Sequence, residues 1–279
     1  MRAVLINLLM VSMTSAALAD EAAKISLPRQ DEQGILVHDV QSPFQSGATQ
    51  IRVLLPEPLD VNLRYPVIYL LPVEAGTEHR YGDGLFEVQR ESLHRQYPAI
   101  FVAPTFSQLP WYADHPTDLT IRQESHFLQA VVPFVDKTYP TRKERAGRLL
   151  LGFSKSGWGA WTILLRHPDT FDRAAAWDAP LDLRESGRYR SGPIFGTQEN
   201  FGKYRVHDLL NLRAPILGDE PRLILMGWGG FRDDTVKAHA LLELLDIPHR
   251  YRDGPQRKHN WHSGWVSEAV QLLMTDDRK

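Results

Sequence analysis

An apolar segment that runs directly into a serine among small residues constrains this fold more than any other feature. Residues 149–153 have the composition of a buried strand, and the residues after Ser154 have the pattern of a helix. A sharp turn between the two would project the serine hydroxyl away from the backbone. The positions two residues to either side must then be small; Gly152 meets this requirement, and Ser156 replaces the usual glycine. An ordinary Gly/Ser turn gives a similar string, so the rest of the chain decides between them.

Strand and helix patterns alternate along the chain, which predicts an α/β fold with a mostly parallel sheet and helices on both faces. Eight strands are predicted, at 35–40, 50–55, 65–71, 99–103, 148–153, 173–176, 223–227 and 249–252. Helices are predicted at 86–96, 120–139, 155–167, 236–245 and 262–274. The length of 279 residues and the 43% hydrophobic content suit a single domain, which we assign to residues 20–279.

The segment 181–220 is long for a connection in such a domain. It mixes Gly, Pro, Arg and aromatic residues, and insertions of this kind often form lids or substrate walls. We therefore predict a lid-like or wall-forming insertion. A solvated excursion with a short helix near 207–212 is the alternative.

The first 19 residues have the pattern of a secretory signal peptide. Arg2 supplies the positive end, residues 3–13 are mostly apolar, and Ala17 and Ala19 form a small-x-small cleavage pattern. The alternative is a membrane anchor or a buried first helix, but the apolar run is short for a membrane span. The chain has no cysteine for lipid attachment or disulfides. The sequence thus predicts an exported protein, periplasmic or secreted, without a stable membrane anchor.

Charge and motif content narrow the function classes. The formal net charge of −2 and the pI near 6.6 provide no broad basic surface for nucleic acid. Neither a Walker loop nor a dinucleotide fingerprint occurs. We predict no cofactor and no nucleic-acid partner.

An acidic residue and a histidine would complete a catalytic triad in the order serine, acid, histidine. Two carboxylates follow the predicted strand at 223–227. Asp234 or Thr235 suits the N-cap of the next helix, which leaves Asp233 as the predicted acid. The alternative is that both carboxylates only cap the helix.

The histidine is predicted in the loop before the last helix. His259 lies at the end of this loop, where an imidazole can reach the serine, whereas His262 falls about one turn into the predicted helix. The two histidines could hold a metal if they shared a helical face, but the ligand set is incomplete and no HExxH pattern occurs. We predict His259 as the catalytic base and no metal.

Four stretches carry a resemblance to a known family. They are the serine turn at 152–160, the helix at 131–139 with its internal proline, the aromatic loop at 111–114, and the histidine loop at 259–261 followed by Trp265. Together they resemble the esterase D and feruloyl esterase-like family of α/β-hydrolases. That family includes S-formylglutathione hydrolases, feruloyl and acetylxylan esterases, siderophore esterases and mycolyltransferases. The resemblance covers residues from about 49 to 273.

The resemblance implies an α/β-hydrolase fold with about eight strands and a serine esterase. Ser154 would attack the ester, His259 would transfer the proton, and Asp233 would orient the imidazole. The substrate would be a small-molecule or carbohydrate ester, with aromatic acyl esters included, and the oligomeric state is not predicted. Acyl transfer by the same triad, or ligand binding without turnover, is the alternative.

One departure from the family concerns the oxyanion hole. The family usually has His-Gly after the third predicted strand, where this chain has Pro72, Val73 and Glu74. Proline has no N–H, so we predict that Val73 or Glu74 donates beside the amide of Lys155. A carboxylate would oppose an oxyanion, and the Glu74 side chain should therefore point away or pair, with Arg80 as the expected partner.

Aromatic residues concentrate near the predicted active-site loops. We predict substrate contacts from four of them, Trp111, Tyr112, Trp158 and Trp261. Tryptophans also simply bury area, so a core or wall role is the alternative. Lys155 would favour an anionic substrate unless it is solvated.

Overall fold

The computed structural model describes residues 22–275, and ten strands within this range form one sheet. They are β1 (Lys24–Ile25), β2 (Arg29–Gln30), β3 (Leu36–Gln41), β4 (Thr49–Leu54), β5 (Val67–Leu70), β6 (Ile100–Pro104), β7 (Arg148–Phe153), β8 (Arg173–Trp177), β9 (Leu223–Trp228) and β10 (His249–Gln256). The spatial order is β1-β3-β4-β6-β5-β7-β8-β9-β10, with β2 beside β3. Strands β5 to β10 pair in parallel, whereas β4 pairs antiparallel with both β3 and β6.

Ten α-helical segments accompany the sheet within the described range. They are α1 (Gly84–Arg90), α2 (Leu93–Gln96), α3 (Gln123–Ser125), α4 (Val132–Thr138), α5 (Ser154–Arg166), α6 (Gly192–Phe195), α7 (Gln198–Gly202), α8 (Val206–Leu217), α9 (Arg232–Leu244) and α10 (Val266–Met274). A π-helical segment, His126–Val131, joins α3 to α4, and 3₁₀ turns lie at Arg145–Gly147, Arg188–Arg190 and Trp261–Ser263. None of the helices in residues 22–275 is long and apolar enough to cross a membrane.

Both faces of the sheet are buried. Successive strand side chains point to opposite faces, so Leu150 enters one core cluster while its neighbours Leu149 and Leu151 enter the other. The first cluster contains Trp161 and other residues of α5, and the second contains Val270 and other residues of α10. Helices thus cover the two faces, and the predicted α/β-hydrolase architecture is confirmed.

All eight predicted strands occur, and the two further strands are two-residue edge segments, β1 and β2. Helix boundaries differ where the backbone turns left-handed. The predicted helix 86–96 is split because Ser92 adopts a φ of 56°, and the last helix begins at Val266 because Gly264 has a φ of 82°. Helix α9 begins at Arg232, four residues before its predicted start, and this shift affects the site.

The segment 181–220 folds into α6, α7 and α8 and packs onto the main domain. Its residues Ile194, Phe195, Phe201 and Leu210 belong to the same core cluster as α5. The segment therefore has buried apolar anchors. The predicted signal peptide, residues 1–19, lies outside the described residues.

Candidate active site

Ser154 lies at the predicted turn between β7 and α5 and has a φ of 53°. This left-handed conformation costs free energy in a residue with a side chain and is typical of functional turns. Gly152 permits the close approach, because a Cβ there would lie 2.3 Å from the carbonyl oxygen of Ser156. The strand, turn and helix of the sequence prediction are thus present.

Ser156, in place of the usual glycine, contributes to the turn. Its Oγ accepts a hydrogen bond from the amide of Phe153 at 3.0 Å and lies 2.8 Å from the carbonyl oxygen of the same residue, to which it donates. The serine is fully buried. The close approach between this helix and the segment after β8 depends instead on the next residue, Gly157, because a Cβ there would lie 2.9 Å from the Cβ of Ala179. The departure from the usual glycine therefore leaves the turn intact.

His259 follows β10 in the loop that approaches Ser154, and both residues line one cavity. The loop is held by two hydrogen bonds: the amide of Trp261 donates to the carbonyl of Tyr81 at 2.8 Å, and Trp265 Nε1 donates to the carbonyl of Asn260 at 2.9 Å. The imidazole packs edge-on against the ring of Phe153, with 5.1 Å between the ring centroids.

The partner of His259 is Asp178, the first residue after β8. Nδ1 of His259 lies 2.5 Å from Oδ2 of Asp178, whose side chain is fully buried. A carboxylate on Nδ1 holds the proton there and leaves Nε2 as the nitrogen that can accept one.

Main-chain amides also hold the Asp178 carboxylate. Oδ1 accepts from the amide of Gly230 at 2.9 Å and from that of Phe231 at 2.7 Å. Gly229 leaves room for the carboxylate, because a Cβ there would lie 2.5 Å from Oδ2. Burial acts to raise the pKa of Asp178, but the hydrogen bonds from His259 and the loop amides outweigh it and hold this pKa below its usual value. Asp178 therefore remains ionised beside the imidazole.

The prediction that Asp233 pairs with His259 is wrong. Asp233 is exposed in the first turn of α9, which begins at Arg232 rather than at 236. Asp234 does not cap the helix either, since the N-cap residue is Phe231; Oδ1 of Asp234 accepts instead from the amide of Asp182 at 3.1 Å.

A usable signal for Asp178 existed in the sequence. This residue follows a predicted strand directly and also satisfies the order serine, acid, histidine.

The two histidines weighed as metal ligands are held by different carboxylates. Nδ1 of His262 lies 2.8 Å from Glu87 Oε2, whereas Nδ1 of His259 contacts Asp178. Elsewhere among the described residues, the ligand atoms of His239, Glu243 and His249 lie within 4.8 Å of one another and could hold a metal ion. His239 and Glu243 lie on α9 and His249 begins β10, whereas His259 follows the end of that strand.

A cavity of about 250 Å³ lies at Ser154 and His259. Of the four aromatic residues predicted to contact substrate, Trp111 is part of its wall. The others do not line this cavity, which corrects the prediction for Tyr112, Trp158 and Trp261. All three are buried. The hydroxyl of Tyr112 donates to the carbonyl of Pro72 at 2.5 Å, and the two tryptophans pack against other aromatic rings. The remaining wall residues are Arg80, Tyr81, Leu109, Lys155, Pro180, Tyr189, Arg190 and Phe231.

The predicted oxyanion residues are neighbours in the structure. Lys155 is the second residue of α5, so its amide belongs to the first turn, whose N–H groups have no acceptor within the helix. Its Nζ donates to the carbonyl of Val73 at 3.0 Å. Val73 and Glu74 line a separate narrow cavity of about 40 Å³.

The Glu74 carboxylate has partners of its own. Oε2 accepts from the amide of Tyr81 at 3.0 Å, and Oε1 lies 3.7 Å from Nε of Arg80. The expected pairing of Glu74 with Arg80 is confirmed. The negative charge of the Glu74 carboxylate therefore faces the amide of Tyr81 and the guanidinium of Arg80.

Comparison with known proteins gives a family match. The chain matches the Esterase family over residues 45–250. It is 28% identical over 137 residues to Esterase Rv1288 of Mycobacterium tuberculosis strain H37Rv, and the match covers 48% of this chain and 30% of that protein. The chain thus spans about a third of the length of this relative.

Solved structures share the fold. FphF, a fluorophosphonate-binding serine hydrolase of Staphylococcus aureus, superposes with a TM-score of 0.69 at 18% identity, covering 87% of this chain and 98% of that chain. A ferulic acid esterase gives a TM-score of 0.67 at 18% identity, covering 90% of this chain and 97% of that chain. At these identities the likeness establishes the architecture.

Proposed function

Because the chain belongs to the Esterase family of α/β-hydrolases, we propose that it is an exported serine hydrolase that cleaves carboxylic esters. One observation carries the proposal: the imidazole of His259 is bound to a buried carboxylate, Asp178, and borders the same cavity as the strained Ser154. A serine, a histidine and a carboxylate in this relation are the groups that nucleophilic acyl transfer requires.

In the proposed reaction, Ser154 Oγ attacks the ester carbonyl while Nε2 of His259 takes the hydroxyl proton. The tetrahedral intermediate collapses, the C–O bond to the alcohol breaks, and His259 returns the proton to the leaving alcohol. Water then attacks the acyl-enzyme with His259 as base, which releases the carboxylic acid and restores Ser154. Asp178 stabilises the imidazolium in both halves. The amide of Lys155, with that of Val73 or Glu74, would bind the oxyanion.

The substrate of this proposal is a small-molecule or carbohydrate ester. Transfer of the acyl group to an alcohol instead of water uses the same groups and differs only in the acceptor. A mixture of ester and a competing alcohol distinguishes the two outcomes by product analysis.

Covalent labelling tests the proposal. A fluorophosphonate should attach to the peptide that contains Ser154, and a nitrophenyl ester should give a burst of nitrophenol if deacylation is slow. Ser154→Ala should abolish both signals while the thermal transition stays near that of the wild type. Turnover that persists in Ser154→Ala would exclude this nucleophile. A wild-type protein that neither labels nor turns over would favour the non-catalytic binding alternative.

A further inference from the structure

The cavity beside Ser154 is basic. Its wall carries three cationic side chains, Arg80, Lys155 and Arg190. No Asp or Glu occurs among the described residues that line it. A cavity lined by one sign of charge attracts ligands of the opposite sign.

The carboxylate near these cations offsets their charge only in part. Glu74 lies 3.7 Å from Arg80 and accepts from a backbone amide with its other oxygen. Lys155 donates to the carbonyl of Val73, a neutral group. Among residues 22–275, the guanidinium of Arg190 has neither an ion-pair partner nor a hydrogen-bond partner. The cavity therefore keeps a positive excess.

The cations also act on one another. The pKa of Lys155 is lowered to about 8, mainly by burial; Glu74 acts to raise it, and Arg80 and Arg190 act to lower it. Mutual repulsion of this kind is relieved when an anion binds among the charges.

Arg190 lies in a strained turn at the cavity wall. Tyr189 and Arg190 are consecutive residues with φ values of 53° and 63°. Such a conformation costs about 1–3 kcal/mol per residue and persists where the surroundings enforce it. The Tyr189 ring packs edge-on against Phe231, with 5.6 Å between the ring centroids, and both residues line the cavity. This contact holds the Arg190 segment at the cavity wall.

From these observations we infer that the cavity contains an anion-binding subsite, formed by Arg80, Lys155 and Arg190, that selects esters bearing a free carboxylate. The inference rests on the proposed esterase function and specifies its substrate class. Arg190 is the specificity-determining member, because it is the cation without a protein partner among the described residues.

Two matched esters test the subsite. The 4-nitrophenyl ester of adipic acid carries a free carboxylate, which its methyl ester derivative lacks. For the wild type, kcat/KM should be about tenfold higher for the anionic ester, which is the size of one charge-assisted hydrogen bond. The ratio should fall as salt is added, because the cavity is open to solvent.

Variants of the 188–190 turn assign the effect to Arg190. Arg190→Gln should reduce the ratio to about one, and Arg190→Lys should restore part of it. Arg188→Gln is the matched control, because it removes a neighbouring exposed arginine that does not line the cavity, and it should keep the wild-type ratio. If the ratio fell equally in Arg188→Gln and Arg190→Gln, the preference would come from general surface charge, and the inference would be overturned.

The outcomes separate this inference from the proposed function. Hydrolysis of both esters at similar kcat/KM overturns the subsite and leaves the esterase intact. Hydrolysis of neither ester contradicts the esterase, and calorimetric titration with monomethyl adipate then decides the subsite alone. Binding that weakens in Arg190→Gln and not in Arg188→Gln supports the subsite, and equal or undetectable binding rejects it.

Discussion

The main-chain amide of Ser154 donates a hydrogen bond of 3.1 Å to the main-chain carbonyl of Asp178. Each residue immediately follows a strand, and these strands, β7 and β8, are paired up to their last residues, Phe153 and Trp177. Both Ser154 and Asp178 have a positive φ, at 53° and 43°. Ser154 and Asp178 are therefore fixed to each other through the sheet, whereas His259 is supplied by a loop.

Asp178→Asn should lower kcat by about four orders of magnitude, the effect expected when the imidazole is held in the wrong tautomer. Asp233→Asn is the matched control, because it neutralises an exposed carboxylate in the first turn of α9 and should cost at most about 1 kcal/mol of stability. Steady-state kinetics with a nitrophenyl ester measures both. A larger loss of kcat in Asp233→Asn would return the acid role to Asp233.

Gly229→Ala should lower kcat at least about tenfold, because the new methyl group would lie 2.5 Å from Oδ2 of Asp178 and displace the carboxylate from His259. Gly230→Ala provides a neighbouring control with nothing within 4 Å of its added Cβ. Thermal unfolding of both variants checks that the fold persists. Equal activity of the two variants would show that the Asp178 carboxylate tolerates displacement.

Glu124 should stabilise the fold in a pH-dependent way. It accepts from Arg166 Nε at 2.8 Å, and its contact with His167 Nε2 is 2.6 Å. Burial acts to raise the pKa of Glu124, but the hydrogen bonds from His167 and Arg166 lower it to about 2. The unfolded chain protonates first as pH falls, so the contribution, on the order of 3 kcal/mol, is complete above about pH 4.5 and is lost between about pH 4.5 and 2.

Urea unfolding of wild type and Glu124→Gln tests this linkage. The stability difference between them should be largest at pH 6 and should shrink at pH 4 and pH 3. Asp233→Asn, which removes an exposed carboxylate, should show little change over the same range. A Glu124→Gln deficit that is constant with pH would mean that the side chain contributes through packing.

Export should remove residues 1–19. The expected mature chain begins at Asp20, and its formal charge becomes −3 instead of −2, because Arg2 is the single charged side chain removed. N-terminal sequencing and intact mass of the protein recovered outside the cytoplasm measure the cleavage point. Ala17→Arg should block cleavage and leave a longer chain, whereas Met1 on the mature wild-type protein would contradict the prediction.

Local patterns were enough to predict the turn at Ser154, the loop that carries His259 and the eight main strands. Each depends on periodicity or on turn residues within a short segment. The partner of His259 was missed because the contact with Asp178 joins residues 81 positions apart, and the order rule fits both Asp178 and Asp233. To choose between them one must know where α9 begins, because a start at Arg232 places Asp233 in the first turn of the helix. Helix boundaries are the least certain part of a prediction from sequence.

The aromatic residues show the same limit. The sequence predicts substrate contacts for Trp111 and Trp158 alike, and both are fully buried. Only Trp111 of the two borders the cavity, because α5 directs Trp158 toward Phe201 and Phe195 of the 181–220 segment. Which ring faces a ligand depends on packing between distant segments.

The loop after β9 acts on Asp178 through the amides of Gly230 and Phe231 and not through a carboxylate of its own. Almost any residue other than proline supplies an amide, so most side chains of this loop can change while its amides still hold the Asp178 carboxylate. Gly229 is the exception. Variation at Phe231 can then reshape the cavity wall while Asp178 and His259 stay in place, which makes this position a target for altering specificity.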